Sequence, residues 1–245
     1  LAFRQSGDAE SFTAFRANMG AALEDHALFE ALSERYAQQG ANAPLALPLT
    51  LNSSAAMSAR QQLSERISYY AWLQWIADGQ LKNSAETALS SGMEIGLYRD
   101  LAVGAHRGGS EIWRDPTSVL NPLSIGAPPD SFGPQGQNWD LPPLDPIRLE
   151  TEGLGAFKAL VRANMRYAGA LRLDHAFQLA RLFLIPRGGD ANQGTYVAYP
   201  LQGLLACLRI ESHRAKALVV AEDLGTAPHG FTDAIMNSGL LSYKL

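Results

Sequence analysis

Along the first ninety residues, apolar positions recur every three to four residues, the spacing of helices that bury one face. Between Ser11 and Tyr36 the series is Phe12, Phe15, Met19, Leu23, Leu28, Phe29 and Leu32. Pro44 and Pro48 interrupt it. Ser58 to Ile76 resumes it with Leu63, Ile67, Tyr70, Leu73 and Trp75. Aromatic residues at this spacing are expected to pack a core rather than bind a ligand.

Beyond residue 90 the pattern changes. Met93 to Asp100 is a short strand-like run ending on a carboxylate. Gly104 to Leu149 is rich in Gly, Pro, Asn and Asp, shows no sustained period and reads as a long functional loop. Thr151 to Tyr167 reads as a helix, and Ala168 to Asp174 as a strand. A loop through Pro186, Gly188 and Gly189 leads to Tyr199 and Pro200. A helix is expected over Leu201 to Arg214, a strand over Ala217 to Glu222, a helix over Gly230 to Ser238 and a strand from Leu240. Strands alternating with helices predict an α/β fold with parallel pairing through right-handed crossovers. No Gly-x-Gly-x-x-Gly follows a strand, so nucleotide binding has no support.

Composition narrows the classes. With 47% hydrophobic and 18% charged residues, the 245-residue chain reads as globular and soluble. A net charge of −4 without a basic stretch argues against nucleic acid or an anionic membrane as the main partner, and suits a neutral ligand such as a sugar. Cys207 is the only cysteine, which excludes an intrachain disulfide and a cysteine-ligated zinc. A reducing, cytoplasmic compartment is expected. Leu1 to Glu10 lacks the features of a signal peptide, and apolar runs such as Ala217 to Ala221 are far too short to span a bilayer. The chain starts at Leu1 and ends in an apolar run at Leu245, and is read as a fragment.

Three predicted strands close on acids: Asp100, Asp174 and Glu222. In barrels of alternating strands and helices the active site lies at those C-terminal ends. Neighbouring parallel strands run about 4.8 Å apart, close to the roughly 5 Å between the two carboxyl groups of retaining glycosidases. One such acid attacks the anomeric carbon and the other protonates the leaving oxygen. Arg172 precedes Asp174 by two residues, so both side chains share a strand face and the cation favours the ionised acid. Like-charge repulsion between two close carboxylates would raise the pKa of one, as suits Glu222 acting as an acid. Other readings stay open on these residues alone: a helix cap or salt-bridge partner for either acid, a solvated pair at Glu222 and Asp223, or a metal at Asp174 and His175 that lacks a second His at ligand spacing.

Longer motifs are more specific. Gly126-Ala-Pro-Pro-Asp130, Gly136-Gln-Asn-Trp139 and Leu141-Pro-Pro143 resemble the signature loop of the amylomaltases, the 4-α-glucanotransferases also called disproportionating enzymes. Arg172 to His175, Arg181 to Pro186, Gly194 to Pro200 and Ala221 to Gly225 match that family in the same order, and Leu97 to Ala102 with Ser242-Tyr-Lys244 is similar to its bacterial branch. The resemblance spans about Phe12 to Leu245. It implies Asp174 as nucleophile and Glu222 as general acid/base, with Arg172 orienting Asp174. It further implies His175 bonding sugar hydroxyls, Asn138 and Trp139 on a loop over the donor site, and Asp100 as a further sugar contact. No metal or organic cofactor is expected, because two carboxylates and a sugar hydroxyl supply every proton transfer. The implied partners are α-1,4-glucans and maltooligosaccharides, passed to a sugar 4-hydroxyl with retention, in maltodextrin or glycogen metabolism.

Two departures stand out. Asp140 occupies a position where the family usually has Gly, and the family's third carboxylate, together with the first barrel strands, lies outside this chain. The expected organisation is a helical insertion subdomain over 1–90 and a partial (β/α)8 barrel over 91–245, including an active-site loop at 104–149. An α-glucan hydrolase of the same superfamily and an inactive glucan-binding fragment are the rival readings. Expressed alone, residues 1–245 are expected to be inactive.

Overall fold

The structure is a computed structural model and describes residues 9–39, 51, 53–131 and 133–243. Pro44, Pro48 and Lys244 lie outside these. Contacts divide the chain into one unit of Leu1–Asn83 with Gly108–Pro116, and another of Ser84–Arg107 with Thr117–Leu245. Among the described residues no helix is long and apolar enough to cross a membrane.

The first unit is helical. It holds α1 (Ala9–Gln38), α2 (Ser54–Gln62), most of α3 (Ser64–Ser90) and α4 (Ser110–Arg114). The predicted apolar face is the core: Leu23, Leu28, Leu32 and Ile67 are buried with Ala27, Ala31, Ala59 and Ala71, and Phe12, Phe15 and Tyr70 pack on them. The larger side chains fill the space beside these alanines. Gly20 breaks the helical dihedrals of α1 (φ 58°, ψ −144°), and Met19 just before it is exposed rather than core. Predicted as one helix, the second segment is two, because Leu63 leaves the helical path between α2 and α3.

The second unit carries the predicted parallel sheet. Strands β1 (Tyr98–Leu101), β4 (Ala170–Leu173), β7 (Leu218–Ala221) and β8 (Leu241–Ser242) pair in that order, all parallel. Each crossover contains a helix: α6 (Gly155–Met165), α7 (Leu201–Ala215) and α8 (Phe231–Asn237). This repeated strand–helix unit is an arc of the expected barrel. Leu171, Leu173 and Ala221 are fully buried, and Val161, Leu205, Leu208 and Ile235 cover them from the helices. Burial of such side chains contributes about 1.5–3 kcal/mol each. Glu211 of α7 is buried with its carboxylate held by Arg162 of α6 at 2.8 and 2.9 Å and by Arg214 at 2.8 Å.

The stretches read as loops after β1 and β4 hold more structure than their sequence announces. Residues 104–149 contain β2 (Leu123–Ala127), β3 (Gln137–Leu141) and α5 (Pro146–Thr151), and the segment after Asp174 contains β5 (Arg181–Pro186) and β6 (Thr195–Ala198). These form a second, antiparallel sheet in the order β3-β2-β5-β6. Both insertions leave the parallel sheet from the C-terminal ends of its strands.

Candidate active site

The register of the parallel sheet sets the site. Leu173 lies opposite Ala221, so Asp174 and Glu222 are the next residues of two adjacent strands. The backbone continues the pairing there: Glu222 N–H donates to Leu173 O at 3.0 Å, and Ala176 N–H donates to Glu222 O at 2.8 Å. The two acids therefore leave the sheet side by side. Asp100 does not close its strand as expected. It lies opposite Arg172, two rows before Asp174 and Glu222, and Leu101 closes β1.

Arg172 joins these rows. Its Nη1 donates to both oxygens of Asp100, at 2.8 and 2.9 Å, and its Nη2 lies 2.8 Å from Asp174 Oδ1. Its Nε donates to Tyr243 Oη at 3.0 Å. The Asp100 carboxylate, foremost among these partners, raises the Arg172 pKa further above its usual range. Arg172 and Asp174 thus share a face, as their spacing predicts.

Glu222 is fixed by backbone. Its Oε2 accepts the His175 N–H at 2.9 Å and its Oε1 the Leu224 N–H at 3.1 Å. A carboxylate has about four acceptor sites, so each oxygen keeps one for substrate. His175 stands between the two acids with left-handed dihedrals (φ 45°, ψ 59°), a conformation that costs free energy for any residue but glycine and recurs at functional sites. Burial lowers its imidazole pKa, against the opposing pull of Glu222 and Asp174, and favours the neutral ring.

A wall rises over His175. The Trp139 indole meets it edge-on at 5.5 Å and 82°, and donates its own N–H to Gln137 Oε1 at 2.8 Å. A bulge aims that ring: Gly126 pairs with Asn138 and Ile125 with Leu141, so Trp139 and Asp140 are extra residues on β3. Gly126 is required, because a Cβ there would stand 2.0 Å from Gln137 O. Asn138 braces the bulge: its Oδ1 accepts the Asp140 N–H at 3.0 Å and its amide donates to Gly189 O at 3.4 Å. These bonds keep it on the rim rather than beside the acids.

Asp140 does take a positive φ, 52°, where the resemblance leads one to expect glycine. Its carboxylate lies 3.3 Å from Arg107, whose side chain is 6% exposed and also donates to Asn121 O at 2.6 Å and Leu123 O at 2.9 Å. Arg107 carried no sequence signal, because a lone arginine in an aperiodic stretch reads as solvated. Tyr243 stood in a quoted motif without a role. Among the described residues no group of three or more His, Cys, Asp or Glu is arranged to hold a metal.

The family profile of 4-alpha-glucanotransferase matches residues 2–245. The chain is similar to the 4-alpha-glucanotransferases of Haemophilus influenzae (48% identity over 67% of this chain and 24% of that protein) and Mycobacterium bovis (38% over 99% of this chain and 33% of that protein). It thus spans about a quarter to a third of the length of these curated relatives. Its fold is similar to the amylomaltase of Corynebacterium glutamicum (TM-score 0.81, 34% identity, 97% of this chain and 32% of that one). In fold alone, it is also similar to an amylomaltase of Streptococcus agalactiae in complex with acarbose (TM-score 0.85, 20% identity, 98% of this chain and 49% of that one). The profile match over nearly every residue, joined to the Mycobacterium similarity along the same length, means that the chain belongs to the 4-alpha-glucanotransferase family.

Proposed function

We propose that this chain carries the nucleophile and the acid/base of an enzyme that transfers α-1,4-glucan segments with retention of configuration. The observation that supports this most is the adjacency of Asp174 and Glu222 on paired strands with Arg172 on Asp174. Asp174 attacks the anomeric carbon as Glu222 gives its proton to the departing glycosidic oxygen, leaving a glycosyl ester on Asp174. An acceptor 4-hydroxyl then enters, Glu222 takes its proton, and the new α-1,4 bond replaces the ester. Arg172 holds Asp174 in place for the first step.

His175, neutral at pH 7, has one ring N–H to donate and one nitrogen to accept, as a sugar hydroxyl pair requires. Trp139 offers an apolar wall over it. Asn138 holds that wall in place, and Asp100 sets the charge on Arg172 while its free lone pairs face sugar hydroxyls. The substrates are α-1,4-glucans and maltooligosaccharides, as the Streptococcus amylomaltase complex with acarbose suggests. The helical segment over 1–90 is an insertion that accompanies the partial barrel over 91–245. We assign the enzyme to the cytoplasm and to maltodextrin or glycogen metabolism.

The test uses Glu222→Gln in the enzyme that carries this chain. Transfer from maltotriose should fall by at least about a thousandfold, while the first step with an α-maltosyl fluoride, whose leaving group needs no proton, should be largely spared. Equal loss with both donors would remove Glu222 from the acid role.

A further inference from the structure

Tyr243 lies just beyond β8 and bonds to a neighbour of each member of the catalytic pair, Arg172 beside Asp174 and Asp223 beside Glu222. Its backbone N–H donates to Asp223 Oδ1 at 3.2 Å, one residue after Glu222. Its phenol oxygen accepts from Arg172 Nε at 3.0 Å, and Arg172 in turn holds Asp174 at 2.8 Å. The guanidinium is a planar fork of three nitrogens. Two are claimed by carboxylates that pull in different directions, Asp100 and Asp174. A neutral acceptor on the third nitrogen fixes the plane of the fork without competing for its charge. The other titratable groups around this fork are Tyr98 from β1, which shares a hydrogen bond with Tyr243, and His175 and Glu222 beyond Asp174.

We propose that Tyr243 is a positioning residue for transfer: its hydroxyl sets the orientation of Arg172 on the nucleophile, and its main chain ties that arginine to the loop bearing the acid/base. The inference rests on the reading of Asp174 as nucleophile. Nothing in the family motifs assigns this tyrosine a role, and its side chain lies on the rim of the sheet, where packing alone does not demand a phenol.

Tyr243→Phe removes only the oxygen. In the enzyme carrying this chain we expect kcat for maltotriose disproportionation to fall about tenfold, the scale of one lost hydrogen bond, with KM within about twofold. The acidic limb of kcat/KM should move, because the hydroxyl that orients the cation on the nucleophile is gone. The melting temperature should stay within about 2 °C. An unmoved acidic limb overturns the inference, whether or not kcat falls, since a merely structural tyrosine has no route to that limb. Asp174→Asn, run alongside, separates the failures. If Asp174→Asn stays active, the nucleophile assignment falls and takes this inference with it. If it is inactive and Tyr243→Phe leaves the limb in place, only the inference falls.

Discussion

Two charge clusters in this molecule are built from the same side chains in opposite proportion. At the strand ends, one arginine serves two carboxylates: Arg172 with Asp100 and Asp174, whose side chains are 61% and 39% exposed. In the helical unit, one carboxylate serves two arginines: Asp25, only 8% exposed, takes Arg60 at 2.7 Å and Arg114 at 3.1 Å. Glu211, between Arg162 and Arg214, repeats the second arrangement. A buried acid must have its charge neutralised in full, and two fork-shaped cations do that. An acid that is to attack a substrate must keep accessible lone pairs, so a cation shared with a neighbour suits it better. The proportion of arginine to carboxylate separates a charge used for holding the fold from one available for chemistry.

The strongest way to break this contrast is Asp174→Ala. Transfer should drop below a few per cent of wild type with the thermal melt little changed; a residual rate above that level removes Asp174 from the nucleophile role. Asp25→Ala should do the reverse. It leaves two partly buried arginines without their common partner and should cost about 2–3 kcal/mol of stability in a denaturant titration, discounted for their exposure, while the acidic limb of kcat/KM stays in place.

Smaller effects sharpen the comparison. Arg162→Ala leaves Glu211 with Arg214 alone and should lower stability by less than Asp25→Ala does. Its pH signature has a definite sign. The Arg162 hydrogen bond lowers the Glu211 pKa below its ordinary 4.5, so this stabilisation is complete above pH 4.5 and is lost as pH falls through the lower, folded value. Melting temperatures of wild type and Arg162→Ala should therefore converge as pH falls below 4.5; a constant gap would show that the pair does not carry the difference. Asp140→Gly should be smallest. Relief of the positive φ opposes loss of the exposed Asp140 carboxylate from Arg107, which keeps its backbone acceptors on Asn121 and Leu123, so stability should move by less than about 0.5 kcal/mol.

The sequence announced some parts of this fold better than others. The parallel strands were legible because β4 and β7 are short, largely apolar runs, Ala170-Leu171 and Leu218-Val219-Val220-Ala221 among them. The antiparallel sheet was not. Its strands β3 and β6 are largely exposed and carry Gln137, Asn138 and Thr195 where an apolar face would be needed to signal them. They exist because β2 and β5, which pair with each other across a long stretch of chain (Gly126 opposite Phe183), supply their partners, and no local period encodes that. Of the site, Asp174, Glu222 and the shared face of Arg172 followed from strand ends and spacing. The row of Asp100 did not, since strand ends are uncertain by one or two residues and each residue is one row. Arg107 and Tyr243 act through bonds to backbone and to another side chain, and such roles have no residue pattern of their own.

The bulge at Trp139 and Asp140 also bears on descent. Glycine codons begin GG and aspartate codons GA, so a single nucleotide separates the two residues. That short step would leave an unsupported left-handed aspartate in a chain lacking Arg107, whereas here the arginine receives it. The order of change is then constrained: the buried arginine comes first and makes the aspartate tolerable, and once both are present the arginine is harder to lose. Lineages carrying aspartate at this position should carry arginine at the position of Arg107, while lineages keeping glycine are free to vary there.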